Sequence, residues 1–259
     1  RHTSLVRDCS SDVCSSDLGR ATRLLRFLTA LSKEYTGRVV LGTETSTLDA
    51  SGEVTAVHDM SAVDPDQVVA AARAFVGEIQ QVPPMVSAVR VGGRRLHEIA
   101  REGGEVERSP RTVTVHRFDV VPGDKQGTYD VAVACSSGTY IRTLAADLGT
   151  ALGGGAHLRD LRRTSIGSFT EVEARPVETP ILLPMTEALR DLGGVYVDEA
   201  TAVDVSFGRP LDLDRLGVEP GSTEVGPWPV HGPDGALLAV YEPHRGGAKP
   251  AVVLAPAVS

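Results

Sequence analysis

The sequence predicts an α+β fold, in which a large domain with a mixed sheet is followed by a small all-β domain. Helical periodicity recurs in the first 160 residues, two strand patterns lie at 112–121 and 128–135, and short strands broken by Gly and Pro fill residues 195–259. The chain has 259 residues, 41% hydrophobic and 23% charged, which is enough to bury a sizeable core.

The first half of the large domain contains two predicted helices. Apolar residues at 24, 27, 28 and 31 have the spacing of an amphipathic helix, and a strand should follow over 35–41. In residues 64–67, Asp-Pro-Asp-Gln combines an N-cap, a proline at the first helical position and a capping-box partner. A second helix should therefore begin there.

The second half alternates strands and helices. We expect an apolar segment over 85–91, a short helix over 94–101 that ends at Gly103-Gly104, and strands over 112–121 and 128–135. Residues 136–139 should form a turn into a helix that ends at the glycines 153–155, followed by a proline-containing linker. The predicted domains are 18–190 and 195–259.

Residues 1–17 differ from the rest of the chain. Cys-Ser-Ser-Asp occurs at 9–12 and again at 14–17, in a stretch without apolar periodicity. We interpret this segment as a foreign or disordered leader, so that the large domain is incomplete at its amino end.

Composition excludes several classes of protein. No stretch of 18 apolar residues and no secretory signal pattern occurs, so we expect a cytoplasmic protein that has no membrane partner. Three cysteines cannot form a disulfide framework, and Cys and His lack zinc-ligand spacing. The glycine pairs match neither a P-loop nor a dinucleotide fingerprint. We therefore expect no metal and no cofactor.

The net charge of −8 is unevenly distributed. Residues 20–175 carry 19 basic and 19 acidic residues, whereas residues 176–259 carry 5 basic and 12 acidic ones. The large domain can therefore present clustered arginines, such as those at 90, 94, 95 and 101, to phosphate groups. A solvated arginine-rich helix face is the alternative interpretation.

Four segments together resemble the bacterial tRNA pseudouridine synthase B (TruB) family. They are residues 18–23 leading to Tyr35 and then 41–52, residues 81–101 beginning Gln-Val-Pro-Pro-Met-Val-Ser-Ala, residues 135–144 reading Cys-Ser-Ser-Gly-Thr-Tyr-Ile-Arg-Thr-Leu, and residues 155–163. The resemblance implies a cofactor-independent isomerisation of uridine 55 in the tRNA T loop, with the T-arm as partner, a monomeric enzyme and a PUA-like small domain. In this family an aspartate is the nucleophile, and the target base leaves its stack.

The resemblance also implies roles for five residues. Arg142 matches the arginine that pairs with the nucleophilic carboxylate, and its place in the first turn of a helix favours an anion beside it. Tyr35 matches the tyrosine that stacks on the base and handles a proton, and an aromatic strand residue that packs in the core is the alternative. Tyr140 and Leu161 match residues that line the uracil pocket, and core packing remains an alternative for Leu161. Arg23 matches a basic residue that would contact a phosphate.

The family's nucleophile lies in a Gly-Thr-Leu-Asp-Pro-type motif about a dozen residues before a Leu-Gly pair, which here is Leu18-Gly19. The leader occupies that place, so we expect this chain to lack the nucleophile. Thr47-Leu48-Asp49 is followed by Ala instead of Pro, and residues 49–52 suit a type I turn. The rival hypothesis is a noncatalytic tRNA-binding or RNA-remodelling module.

Overall fold

A computed structural model describes residues 19–87, 90–95, 98–99, 102, 104, 106–176, 178–219 and 225–255. The predicted leader lies outside these residues. The described chain divides into two compact units. The large unit is Ala30–Ala174, and the small unit combines the described residues of 1–29 and 175–259. The predicted boundaries at 18, 190 and 195 stay a prediction.

Strands outnumber helices in the described residues of both units. The helices are α1 (Leu25–Ala30), which follows a 3-10 turn over Gly19–Leu24, α2 (Pro65–Ala74), α3 (Ile141–Ala151) and α4 (Glu199–Ser206). The strands are β1 (Lys33–Leu41), β2 (Thr43–Thr45), β3 (Val54–Val57), β4 (Gly77–Gln81), β5 (Arg90–Val91), β6 (Arg94–Arg95), β7 (Arg111–Pro122), β8 (Thr128–Cys135), β9 (Ala156–Ile166), β10 (Phe169–Thr170), β11 (Val195–Tyr196), β12 (Trp228–His231), β13 (Leu237–His244) and β14 (Gly247–Val253). Within the described residues, every helix is too short or too polar to cross a bilayer.

A six-stranded sheet organises the large unit, in the order β10-β9-β1-β8-β7-β4. Each of its five described pairings is antiparallel, so the prediction of a mixed sheet is wrong here. The pairings are all antiparallel because β1 lies between the two strands that run in the same direction. Helix α3 connects β8 to β9, and these two strands run parallel to each other but pair on opposite sides of β1 instead of with one another.

The core of the large unit lies between this sheet and the helices α2 and α3. Helix α2 packs against β7, and α3 packs against β9. The buried side chains come from one face of each strand and from the apolar stripes of both helices. Val39, Val115 and Val133 from the sheet meet Val68 of α2 and Leu144 of α3 in this cluster.

Most sequence-predicted elements of the large unit are confirmed. They include α2 with its complete capping box, in which Asp64 accepts from Asp66 and donates its own amide to Gln67, and the strands β1, β7 and β8. The helix predicted over 94–101 is wrong at Arg94–Arg95, which form β6 and pair with β5. The Gly92-Gly93 turn between them has positive φ at both residues, which suits a two-residue hairpin. Residues 98 and 99 are helical, and the rest of that prediction falls on undescribed residues.

The small unit is not purely β, so this part of the prediction is wrong. Its four-stranded sheet has the order β11-β12-β13-β14, but residues 199–206 form α4, because the side chain of Asp198 accepts from the Thr201 amide and caps the helix. The predicted helix near residue 24 is confirmed as α1. Leu24 of the preceding 3-10 turn and Phe27 of α1 pack with Leu237 and Val240 of β13 in a separate buried cluster.

Tyr241 links the small-unit core to a main-chain carbonyl. Its side chain is fully buried, its hydroxyl donates to the Arg209 carbonyl at 2.7 Å, and burial followed by the nearby Asp204 raises the pKa of its phenol to about 12. It lies opposite Trp228, the single tryptophan of the chain. Fluorescence of that tryptophan therefore reports on the surroundings of Tyr241.

Alkaline pH should destabilise the small unit through Tyr241. An unfolded tyrosine ionises near its ordinary pKa of about 10, whereas the folded one stays neutral to about 12. The stabilisation is therefore complete below pH 10 and is lost as the pH rises toward 12. We expect urea unfolding followed by Trp228 fluorescence to show this loss in the unmodified chain and a much smaller loss in Tyr241→Phe. Tyr196→Phe is the control, since Tyr196 is 72% exposed, and an equal pH slope in Tyr241→Phe would contradict the assignment.

Candidate active site

Arg142 lies in the first turn of α3, and two other segments of the chain hold its guanidinium group. Nη1 donates to Asp49 Oδ2 at 2.9 Å and to the Thr47 carbonyl at 3.2 Å. Nη2 donates to the Val86 carbonyl at 2.8 Å. Since the side chain is only 24% exposed, the guanidinium is a fixed, partly buried group instead of a mobile surface cation.

Asp49 lies in the loop between β2 and β3, where the predicted turn is present. The Gly52 amide donates to the Asp49 carbonyl at 3.1 Å, as a turn from residue 49 to residue 52 requires. The Asp49 Oδ1 atom accepts from the Ser51 amide at 3.0 Å and from Thr47 Oγ1 at 2.6 Å. A Cβ on Gly52 would lie 2.7 Å from the Thr47 amide nitrogen, so the loop needs glycine there.

The ion pair of Asp49 with Arg142 was not anticipated from the sequence. Both oxygens of the carboxylate are engaged, Oδ2 by Arg142 and Oδ1 by the donors of its own turn. These bonds fix the carboxylate of Asp49 against the guanidinium and within its own turn. The only sequence signal was the Thr-Leu-Asp triplet, which does not reveal a partner 93 residues away.

Tyr140 occupies the N-cap position of α3, immediately before Arg142's turn. Its side chain makes no capping bond, and instead its main chain is bonded by Gln81. The Tyr140 amide donates to Gln81 Oε1 at 2.9 Å, and Gln81 Nε2 donates to the Tyr140 carbonyl at 3.3 Å. Tyr140 and Arg142 therefore lie two residues apart at the beginning of α3, where Gln81 fixes the main chain.

Tyr35 and Leu161 lie on the neighbouring strands β1 and β9. Tyr35 is opposite Arg163 in the sheet and packs partly buried against the main core cluster. Burial raises the pKa of the Tyr35 phenol, the nearby Cys135 adds to the rise, and the Arg163 guanidinium opposes it. Leu161 is 45% exposed, so core packing does not account for it. An exposed leucine two residues from Arg163 is available to a ligand.

A short hydrogen-bonded bridge connects the Arg142 site to strand β9. The Ala50 amide donates to the Leu158 carbonyl at 2.9 Å, and the Leu158 amide donates to the Leu48 carbonyl at 3.0 Å. The loop that carries Asp49 is thus attached to β9 three residues before Leu161. Tyr35 packs in the same core cluster as Ile141, the residue before Arg142. All four predicted residues of the large unit therefore belong to one connected framework.

Comparison with known proteins assigns a family to this framework. The model described as "TruB family pseudouridylate synthase (N terminal domain)" matches residues 13–141, and "tRNA pseudouridylate synthase B C-terminal domain" matches residues 142–179. A tRNA pseudouridine synthase B from Arthrobacter sp. (strain FB24) is 41% identical over 98% of this chain and 87% of its own length. One from Rhodococcus jostii (strain RHA1) is 42% identical over 83% of this chain and 69% of its own length.

This chain belongs to the TruB family of pseudouridylate synthases. A solved chain from a "Cbf5-Nop10-Gar1 Complex" has the same fold, with a TM-score of 0.65 and 24% identity over 92% of this chain and 71% of that chain. The α+β class predicted from the sequence and the family resemblance are both confirmed. The roles of the individual site residues stay predictions.

Arg23 of this TruB-family chain lies in the small unit, unlike the other predicted site residues. Its Nη1 atom donates to the Val253 carbonyl at 2.7 Å, and Arg20 Nη1 donates to the neighbouring Leu254 carbonyl at 2.5 Å. Arg26 and Lys249 both pair with Glu242 on β13. Four cations thus lie along the edge formed by the first helical segment and β14, two paired with the carboxylate of Glu242 and two bonded to main-chain carbonyls.

Replacing Asp49 should loosen the site. Asp49→Asn removes the charge that faces Arg142, and we expect the free energy of unfolding to fall by about 1 kcal/mol, since charged hydrogen bonds between partly buried groups are lost. Urea unfolding followed by circular dichroism measures this. Asp119→Asn is the matched control, because Asp119 pairs with Arg117 on the exposed surface, with 64% of its side chain accessible. Equal effects of both substitutions would show that the Asp49 pair is an ordinary surface contact.

Proposed function

We propose that this chain acts on tRNA and isomerises uridine 55 of the T loop to pseudouridine. In this reaction the C1′–N1 glycosidic bond breaks, a C1′–C5 bond forms, a proton leaves C5 and N1 gains one. Atoms and electrons therefore balance within the nucleotide. The observation that carries the proposal is the fixed Arg142 guanidinium at the beginning of α3, facing a carboxylate, in a chain of the TruB family.

Each predicted site residue has a place in this proposal. Arg142 would hold the anionic oxygen of the reacting carboxylate, since three acceptors already fix its orientation. Tyr35 would stack on the extruded base and handle the C5 proton. To accept that proton the phenol must first give up its own, and burial, which raises the pKa of the Tyr35 phenol, opposes this loss. Tyr140 and the exposed Leu161 would line the uracil pocket.

The nucleophile is the open part of the proposal. The sequence contains no Gly-Thr-Leu-Asp-Pro motif, and Asp49 is engaged with Arg142 and its own turn. We propose that turnover requires the family's motif to be supplied ahead of Leu18-Gly19. Without it the chain would behave as the rival hypothesis expects, as a tRNA-binding module.

Tritium release tests the reaction directly, since the C5 hydrogen of uridine leaves during isomerisation. We expect the unmodified chain to release no tritium from a C5-tritiated T-arm transcript. We expect release when a Gly-Thr-Leu-Asp-Pro segment precedes Leu18 by about a dozen residues. Asn in place of the supplied Asp is the control. Binding of the transcript without release in both versions would favour the noncatalytic module.

Arg142 should be indispensable for turnover in the version of the chain that carries the added Gly-Thr-Leu-Asp-Pro segment, called the active version below. Loss of one preorganised charge-stabilising group typically costs about 10²–10³ in turnover, so we expect a reduction of that size in kcat for Arg142→Lys. Lysine keeps the charge but cannot reach two separate segments with a planar group. Arg117→Lys is the control, because Arg117 lies on the exposed sheet face and pairs with Glu34 and Asp119. Unchanged turnover in Arg142→Lys would remove the central residue from the proposed mechanism.

We also propose that the small unit is PUA-like and contacts RNA through its basic edge, despite its acidic composition. The edge consists of Arg20, Arg23, Arg26 and Lys249, of which Arg26 and Lys249 pair with Glu242 while Arg20 and Arg23 bond main-chain carbonyls. A local excess of positive charge attracts phosphate even when the surrounding unit is acidic. Arg23 keeps its predicted role as a phosphate contact in this arrangement.

Salt dependence of binding tests this edge. The plot of log K against log salt has a negative slope, and each phosphate contact that is lost should reduce the magnitude of this slope by about 1. We expect the double variant Arg20→Gln/Arg23→Gln to bind the T-arm transcript more weakly with a slope reduced by about 1 to 2. Arg209→Gln in the same unit is the control, since Arg209 already pairs with Asp204. An unchanged slope in the double variant would show that the edge does not contact RNA.

A further inference from the structure

Gln81 is a polar side chain that the proposed reaction does not use, although it is only 1% exposed. It is the last residue of β4, the edge strand of the large sheet. A buried amide destabilises a protein unless both its donor and its acceptor are satisfied. Here both ends of the amide bond the main chain of one residue, Tyr140. The side chain therefore acts on the backbone geometry at the start of α3.

Helix α3 needs this restraint because its N-cap residue provides none. Ser, Thr, Asp and Asn cap helices with their own side chains, whereas Tyr140 makes no such bond. The turn before it is fixed at Ser136, which exchanges bonds with Thr114 of β7. Gln81 adds a second fixed point, one residue before the helix and two residues before Arg142.

The chain that follows Gln81 reaches the same helical turn again. Pro83 and Pro84 are buried and restrict the backbone, and Arg108 donates to the Pro83 carbonyl at 3.0 Å. Three residues later, the Val86 carbonyl accepts from Arg142 Nη2 at 2.8 Å. One stiff segment of six residues thus bonds the main chain of Tyr140 at one end and the guanidinium of Arg142 at the other.

We propose that Gln81 is a positioning residue, which sets the direction of the Arg142 guanidinium through the backbone of Tyr140. This inference rests on the proposed function for its catalytic consequence, but its structural consequence is independent of any reaction. Without the amide, the first turn of α3 would be free to shift relative to the loop of Asp49 and to Val86. The guanidinium would then lose the simultaneous reach to both segments.

Substitution of Gln81 tests the proposal, with Thr128 as a matched control. Gln81→Met keeps the size of the side chain and removes both bonds. Thr128 is also buried, and its hydroxyl also bonds both the amide and the carbonyl of a single residue, Lys125, at the far end of β8. Thr128→Val therefore removes a comparable pair of hydrogen bonds at a place distant from α3. Both variants should lose a similar amount of unfolding free energy.

The decisive measurement is the side-chain Nε–Hε NMR signal of Arg142 in the full chain, identified by its disappearance in Arg142→Lys. We expect this signal to shift and broaden in Gln81→Met, together with a rise of about tenfold in the exchange rate of the Tyr140 amide, which loses its acceptor. In Thr128→Val both should stay as in the unmodified chain. If Gln81→Met fails to fold, Gln81→Asn, which keeps the polarity but shortens the reach, takes its place with the same expectation.

An unchanged Arg142 signal in a folded Gln81 variant overturns the proposal, because the guanidinium would then be positioned without the amide. In the active version, kcat should fall by about ten- to a hundredfold in Gln81→Met with KM little changed, as for a misplaced catalytic group. An equal fall of kcat in Thr128→Val would also count against a specific positioning role. If no version releases tritium, the proposed function fails, while the NMR signal still decides the role of Gln81.

Discussion

The site depends on one guanidinium group that joins three segments distant in sequence. Arg142 on α3 bonds the loop between β2 and β3 through Thr47 and Asp49, and bonds the segment after β4 through Val86. A planar group with several N–H donors can satisfy acceptors in different directions at once. The cost of burying its charge is offset by a carboxylate and two carbonyls, so the arrangement holds only when all three segments are in place.

The sheet supplies the rigidity that this junction needs. Strands β8 and β9 lie on either side of β1, and α3 passes between them across the core face. The beginning of α3 is fixed to β7 through Ser136 and to β4 through Gln81, while the loop of Asp49 is fixed to β9 through Leu158. The groups that would contact a base are therefore carried by elements of the sheet and its helix and not by unsupported loops.

Net charge describes this protein poorly, because the charges are segregated. The carboxy-terminal segment is acidic, yet the arginines of the first helical segment lie along β14 and form a basic edge on the same unit. A chain-wide charge of −8 is thus compatible with binding a polyanion. What matters to a phosphate is the local balance within about a Debye length, roughly 8 to 10 Å.

The sequence by itself determined the α+β class, the capped helix α2, the strands β1, β7 and β8, and the family, because each rests on local periodicity, capping chemistry or ordered motifs. The family resemblance also singled out Tyr35, Tyr140, Leu161 and Arg142 as site residues, and their roles stay a prediction. The hairpin at Gly92-Gly93 was missed because the residues after it were predicted to form a helix. The helix after Asp198 was missed because the Gly and Pro residues of 195–259 favoured short strands throughout. Only the tertiary structure decided that Asp49 faces Arg142, that Gln81 bonds Tyr140 and that Arg23 lies in the small unit. These contacts join residues 59 to 230 positions apart, and no local pattern encodes a partner at such a distance.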